Sequence, residues 1–196
     1  MEKARLEAFS DGVFAVAITL LALDLAVPGP GSDGSLAHQL GTHWPSYAAY
    51  VVSFFVIGIT WVNHHALFRS FAAIDRTVLF LNLTLLLFIV AIPFGTSTMA
   101  EYLRHGGSDA HLAAALYAAI LEGAAISFVA IFAWSLRDDA RRHTPLPPAE
   151  ARRAIVRFGI GTLVYFGAIV VAFISAPAAL AAIALIDVYY MFEQTG

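Results

Sequence analysis

The sequence contains no cysteine and little charge of either sign. Charged residues make up 13% of its 196 positions, with 11 Lys and Arg against 14 Asp and Glu. The absence of cysteine excludes disulfides, thiolate metal ligands and cysteine nucleophiles. The net charge of −3 and the lack of a basic block give no indication of a nucleic-acid partner. Function must therefore rest on other residue types.

Hydrophobic residues are what the sequence has in excess. They form 60% of the chain, whereas soluble domains contain about 45–50% apolar and about 25% charged residues. This composition predicts an integral membrane protein. The first apolar run is not typical of a cleaved signal peptide, because Asp11 and Asp24 lie within it and several more apolar runs follow.

Six segments are predicted as membrane spans, since a spanning helix needs about 20 mostly apolar residues. They are residues 6–27, 45–68, 77–99, 112–136, 154–175 and 178–192. The sixth is short, and only a turn near Pro177 separates it from the fifth. The sequence thus predicts an all-α membrane protein with a single six-helix transmembrane domain over residues 1–196.

The Lys and Arg residues predict the orientation of the spans. With six crossings both termini share one side of the membrane, and of the 11 basic residues only Arg104 lies on the other side. Because basic residues accumulate in cytoplasmic loops, both termini are expected in the cytoplasm. The basic residues on that side are Lys3, Arg5, Arg69, Arg76, Arg137, Arg141, Arg142, Arg152, Arg153 and Arg157.

The first predicted helix has two unlike faces. Val16, Leu20 and Leu23 follow an i, i+4, i+7 spacing, which places them in one apolar stripe. Beside this apolar stripe runs a row of small residues, which allow helices to approach closely in lipid: Gly12, Ala15, Thr19, Ala22 and Ala26. Taken alone, the spacing favours ordinary helix–helix packing for the stripe.

Polar side chains occur at one depth in three predicted helices. Asp11 lies in the cytoplasmic third of the first helix, Asn63 and His64 lie in that of the second, and Asn82 lies at a similar level in the third. Because a buried carboxylate needs partners, we expect a hydrogen-bonded belt in which Asn63 or His64 binds Ser10 or Asp11. The alternative is that each polar group is satisfied by its own helix or by lipid headgroups.

The histidines do not predict a metal site. His64 and His65 are adjacent, so in a helix they point about 100° apart, whereas a helical zinc pair is spaced i, i+4. The remaining histidines show no ligand spacing. Neither a metal nor a cofactor is expected.

Two acidic residues lie inside later predicted helices, Glu122 in the fourth and Asp187 in the sixth. An intramembrane acid is a candidate for function, so the two support an alternative in which the chain is a secondary transporter. Against this alternative, the sequence has no inverted repeat, and each acid equally fits a hydrogen bond between helices. An intramembrane enzyme is disfavoured because no nucleophile–base or metal constellation is present.

The start of the chain resembles a known family. Arg5, Phe9, Ser10 and Asp11 form the pattern Arg-x-x-x-Phe-Ser-Asp, followed by Gly-Val-Phe-Ala-Val-Ala-Ile-Thr-Leu-Leu. This is similar to the first helix of the transmembrane protein 175 family of potassium channels, and the similarity is sharp over residues 5–25. The resemblance implies a potassium-permeable cation channel in a bacterial cell membrane. It also implies a homotetramer, because only one six-helix repeat is present.

The resemblance further implies that the first helix lines a central pore. Val16, Leu20 and Leu23 would form its narrowest part, where rings of hydrocarbon gate by dewetting. The Thr19 hydroxyl would lie beside these rings. A structural polar network around the pore helix is implied for the motif and its expected partners: Arg5, Phe9, Ser10, Asp11, Asn63 and His64.

Overall fold

The computed structural model describes residues 3–25 and 35–193, and every regular element within those residues is helical. A 3-10 turn at Leu21–Asp24 continues the first helix, and another at Asp139–Arg141 lies in the loop before the sixth. The helices are α1 (Lys3–Leu20), α2 (Leu36–Thr42), α3 (Trp44–Ser70), α4 (Arg76–His105), α5 (Ser108–Ser135), α6 (Pro148–Ala172) and α7 (Ala176–Glu193).

Five segments are long and apolar enough to cross a membrane. They are Lys3–Leu23, Trp44–Ser70, Arg76–His105, Ser108–Ser135 and Pro148–Ala172. The all-α membrane fold expected from the sequence is therefore confirmed. The sixth expected span corresponds to α7, whose apolar segment Ala176–Met191 is shorter, so the count of six crossings stays a prediction.

The region between the first two spans corrects one expectation. From the sequence, residues 28–43 were expected to form a loop between the first two spans. The first span was expected to end at Val27, which lies outside the described residues. In the structure Leu36–Thr42 forms the short helix α2, whose first turn is capped because the Ser35 side chain accepts the His38 N–H. A seven-residue helix is too short to give a clear periodic signal.

Helix α5 is the centre of the bundle, and α1 lies at its edge. Helix α5 packs against α4, α6 and α7, whereas α1 packs against α4 and α3. The central packing is close because small residues accept bulky neighbours: a Cβ on Gly123 would come within 2.3 Å of the Phe88 ring. One side of α1 is therefore left facing outward.

Five helix ends meet at one end of the bundle, which we call the basic end: the starts of α1, α4 and α6 and the ends of α3 and α5. The Lys3 Nζ donates to the Phe71 and Arg69 carbonyls at 2.9 and 3.3 Å, and Phe71 pairs with Arg142 in an antiparallel bridge. At the opposite end, Arg104 contacts His43. The basic residues are thus segregated as the sequence predicts.

Candidate functional site on helix α1

Helix α1 is held by one face. Leu6, Ser10, Phe14, Ala17 and Leu21 are its buried residues, spaced by three or four positions so that they share a side. This side packs on α3 and α4. Burying a serine in an otherwise apolar face requires a partner for its hydroxyl.

The partner is a chain of hydrogen bonds that we call the polar belt, made of Ser10, Asn82 and His64. The Ser10 hydroxyl donates to the Leu6 carbonyl at 2.9 Å and accepts from Asn82 Nδ2 at 2.9 Å. Asn82 Oδ1 lies 2.7 Å from His64 Nε2. Because Asn82 Oδ1 can only accept, His64 Nε2 must carry the proton. The polar belt therefore joins α1, α4 and α3 through three fully buried side chains.

Aromatic rings fix the orientation of His64 in the polar belt. The Phe68 ring stacks on it with centroids 4.2 Å apart, and the Phe14 ring of α1 lies on it at 5.3 Å. The imidazole thus bridges α3 and α1 by packing as well as by hydrogen bonding. These contacts bring Ser10, His64 and Asn82 together, and their common depth in a membrane stays a prediction.

The partner of Asp11 differs from the expected one. The Trp61 indole N–H donates to Asp11 Oδ1 at 2.8 Å at an exposed edge between α1 and α3. The expectation that Asn63 or His64 would bind Asp11 directly was wrong. His64 bonds Asn82 instead, and Asn63 lines a separate cavity that also contains Asp187.

Arg5 and Phe9 lie outside the polar belt. Both are exposed, and together with Arg76 and Phe80 they line an open groove between α1 and α4 near the basic end. Neither makes a side-chain hydrogen bond among the described contacts. Within one chain the Arg-x-x-x-Phe-Ser-Asp motif therefore contributes Ser10 to the core, Asp11 to an edge, and the other two residues to the outer surface.

The apolar stripe of Val16, Leu20 and Leu23 faces away from the bundle. These side chains are 56%, 40% and 75% exposed, although all three are aliphatic. The 3-10 turn begins at Leu21, so Leu23 lies in the tighter turn that continues the helix beyond Leu20. The apolar stripe thus faces outward with no partner in the described chain, and we also call its three side chains the ridge.

The Thr19 hydroxyl lies beside this ridge and is exposed. It donates to the Ala15 and Val16 carbonyls of its own helix at 3.0 and 2.8 Å. Since its single proton is committed to the backbone, the oxygen presents lone pairs outward. An outward lone pair attracts a cation rather than an anion.

Glu122 and Asp187 are both buried, each with one carboxylate oxygen lacking a partner among the described residues. Asp187 lines a cavity between α3, α5, α6 and α7, whereas Glu122 does not line it. The structure therefore does not bring the two acids together, and neither lies on α1.

Two polar contacts in the structure were not predicted from the sequence. One is Trp61 as the partner of Asp11, which an indole N–H one helical turn from His64 could have suggested. The other joins three helices: Ser53 Oγ lies 2.7 Å from both the Thr96 and Tyr117 hydroxyls. Hydroxyl side chains inside three apolar spans were the available signal, because buried hydroxyls need partners.

This arrangement defines a multi-pass α-helical membrane protein in which one edge helix is anchored by buried polar contacts and presents an unpartnered apolar ridge. The model of the family described as "Endosomal/lysosomal potassium channel TMEM175" matches residues 5–93, which run from the first turn of α1 through α2 and α3 into α4 as far as Pro93. The chain belongs to the TMEM175 family.

The similarity extends over the whole chain. A potassium channel of Streptomyces collinus is 49% identical, covering 98% of this chain and 93% of the relative. A potassium channel of Chamaesiphon minutus is 36% identical over 98% and 95%. The crystal structure of a lysosomal potassium-selective channel TMEM175 homolog from the same organism superposes with a TM-score of 0.88 at 34% identity, covering 100% of this chain and 99% of that one.

Proposed function

We propose that this protein is a potassium-permeable cation channel whose path is constricted by the apolar stripe of α1. The observation that carries the proposal is the outward exposure of Val16, Leu20 and Leu23 on an anchored helix. Full-length relatives named potassium channels support the permeant ion. Several copies of α1 around one axis would turn these exposed side chains inward.

The constriction follows from the chemistry of the ridge. Rings of valine and leucine resist wetting, and an ion cannot enter a dry gap because leaving water costs too much. Val16 forms the ring nearest the basic end, and Leu20 and Leu23 form the next two. The Thr19 oxygen beside them offers a weak cation ligand.

The polar belt has a mechanical role in this proposal. A constriction works only if its side chains keep their positions, and Ser10 fixes the rotation of α1 through Asn82 and His64. Since the polar belt is at the same depth in every copy, it would hold each α1 at the same angle around the axis.

We infer a homotetramer in which the chain crosses the bilayer six times with both termini in the cytoplasm. The segregation of basic residues at the basic end supports this orientation. Gly12, Ala15 and Ala22 lie exposed beside the ridge, and small residues suit contact with a neighbouring copy. Arg5 and Phe9, which have no described partner in the chain, are placed at that contact. Reporter fusions at the termini test the orientation, and activity outside the membrane would overturn it.

Bilayer recording under a potassium–sodium gradient tests the function. The purified protein should give unitary current steps with a reversal potential shifted toward that of potassium. Leu20→Asn should raise unitary conductance and move the reversal potential toward zero, because an amide wets the ring. Leu163→Asn is the control, since Leu163 is a leucine on α6 that is even more exposed than Leu20, at 73% against 40%.

The same recording separates the channel from a transporter that uses Glu122 and Asp187. A transporter would give saturating flux with obligatory ion coupling and no unitary steps. Identical currents from wild type, L20N and L163N would show that the ridge does not line the ion path.

A further inference from the structure

A cavity of about 70 Å³ lies between α3, α5, α6 and α7, and no residue of α1 lines it. Its wall is mostly apolar and aromatic, with polar groups from Thr60, Asn63, Tyr165, Asp187 and Tyr190. A water molecule occupies about 10–15 Å³ of such space, so the cavity has room for a few. Asn63 lies about two turns from the end of α3 at the basic end, which is therefore the nearer source of water.

Asp187 is the only acid or base other than tyrosine among the described residues of the wall. Its side chain is 5% exposed, and its Oδ2 is buried without a hydrogen-bond partner. Tyr165 of α6 is a hydrogen-bond partner of its carboxyl group, and Tyr117 of α5 lies near it. From α3 the wall offers only the uncharged Thr60 and Asn63. Among the described residues, no Lys or Arg lines the cavity.

The Tyr190 hydroxyl does not donate a hydrogen bond to Oδ2 of Asp187. Its hydroxyl accepts the Gly161 N–H at 2.8 Å and donates to the Arg157 carbonyl at 2.9 Å. These are positions i and i−4 of α6, so the hydroxyl inserts into the helical hydrogen-bond ladder. A Cβ on Gly161 would come 2.7 Å from this oxygen, so the insertion requires glycine.

Apart from Asp187, the described wall of the cavity therefore carries no charged side chain, and its polar groups are neutral hydroxyls and one amide. An isolated carboxylate in a low-dielectric interior is costly, whereas a protonated carboxyl both donates and accepts hydrogen bonds. Water in the cavity can satisfy Oδ2 and carry a proton to it. We propose that Asp187 is a proton-binding site in a hydrated cavity of each subunit, separate from the apolar stripe of α1.

Infrared difference spectroscopy of the full-length protein in lipid tests whether Asp187 is protonated, and it does not require ion conduction. At neutral pH we expect a protonated-carboxyl C=O band that moves when aspartate is labelled with carbon-13 at its carboxyl group. Asp187→Asn should abolish this band, whereas Glu122→Gln, the matched control at the other unpartnered acid, should leave it. The label assigns the band in wild type even if D187N folds poorly. Absence of a label-sensitive band, or its persistence in folded D187N, would overturn the proposal.

Exchange into heavy water and exchange of cations complete the test. Prompt movement of the band in heavy water supports a hydrated cavity, and an unmoved band would show that the site is dry. Replacing potassium with N-methylglucamine should leave the acid band unchanged. A carboxylate signal at Asp187 that depends on potassium would assign a metal-cation site instead and overturn the proton site.

Discussion

Adjacent residues of the Phe9-Ser10-Asp11 triplet have different surroundings because successive helical positions point about 100° apart. Ser10 faces inward and bonds Asn82, Asp11 turns to Trp61 at the edge, and Phe9 is 52% exposed on the outer surface. A short motif that reads as one network is thus divided among core, edge and outer face. Substitutions within it should have different consequences for folding and for assembly.

Asn82→Leu should destabilise the subunit. Leucine has a similar volume but removes the acceptor for His64 and the donor to Ser10, and each buried unsatisfied group costs about 1–3 kcal/mol. Thermal unfolding of the detergent-solubilised chain should show a lower midpoint. Thr84→Val on the same helix is the control, since Thr84 is exposed and bonds only the carbonyl of Phe80. Equal thermal midpoints for N82L and T84V would show that the polar belt does not stabilise the subunit.

Asp11 and Trp61 should show energetic coupling. Asp11→Ala and Trp61→Phe each break their hydrogen bond, and the double variant should cost less than the sum of the two by about 0.5–1.5 kcal/mol. Asp11→Asn keeps an acceptor oxygen and should stay closer to wild type. Additive effects of D11A and W61F on the free energy of unfolding would contradict the coupling. A sizing column run on D11A tests whether assembly also depends on this contact.

At the scale of elements, two loops at the basic end are fastened to each other. The Ala72 N–H donates to the Arg141 carbonyl at 2.8 Å, and the His143 N–H donates to the Ser70 carbonyl at 3.0 Å. Lys3 of α1 donates to the Phe71 carbonyl in the same stretch. The start of the proposed pore helix is therefore connected through the α3–α4 loop to the α5–α6 loop.

Asp75 at the start of α4 strengthens this connection. It accepts the Val78 N–H and the Trp134 indole N–H, both at 2.9 Å, and pairs with Arg141 at 2.5 Å. Burial acts to raise the pKa of Asp75, but these hydrogen bonds and the Arg141 charge outweigh it and hold the pKa below its usual value of 3.8. A carboxyl with a depressed pKa stabilises the fold at higher pH and loses that contribution as pH falls through the folded-state value.

Asp75→Asn should therefore lower the thermal midpoint at neutral pH, and the gap to wild type should close in acid. We expect the gap to be constant down to about pH 5 and to shrink below about pH 4, where the carboxyl of the unfolded chain begins to protonate before that of the folded chain. Asp138→Asn controls for loss of a loop charge, since Asp138 caps only Ala140. A gap that widened in acid would contradict the sign of the Asp75 contribution.

The level of a residue along the helix bundle could be predicted from the sequence better than its rotation about a helix axis. The apolar runs set the helix levels, so Ser10, His64 and Asn82 were expected at one depth. Which of the neighbours Asn63 and His64 faces α1 depends on a rotation that weakly amphipathic helices do not encode, since lipid and protein interior both accept apolar side chains. Helix α2 was missed because a seven-residue helix lacks a periodic signal.

At the scale of the whole molecule, α1 is an edge helix with two different attachments. Its buried face and the polar belt join it to its own subunit, and its apolar ridge is exposed in the single chain. A helix anchored in this way keeps its outward face fixed, because rotation would expose Ser10 to lipid. The proposed path thus depends on contacts made within each subunit as well as between subunits.

Cysteine substitution tests the path directly, since the native sequence contains no cysteine. Membrane-impermeant thiol reagents should block the current of Val16→Cys, Leu20→Cys and Leu23→Cys, because thiols in an aqueous path ionise and react. Ala17→Cys and Leu21→Cys should be spared.

Two kinds of control separate the aqueous path from mere exposure on the subunit. Ala17 and Leu21 are 0% and 1% exposed, so a reagent cannot reach them in a folded subunit. Leu163 is 73% exposed on α6, and Leu163→Cys should also be spared because lipid would surround it. Block at L163C equal to that at L20C would mean that the reagent reports exposure alone. Block at A17C and L21C with the ridge cysteines spared would place the opposite face of α1 on the path, and the constriction would have to lie elsewhere.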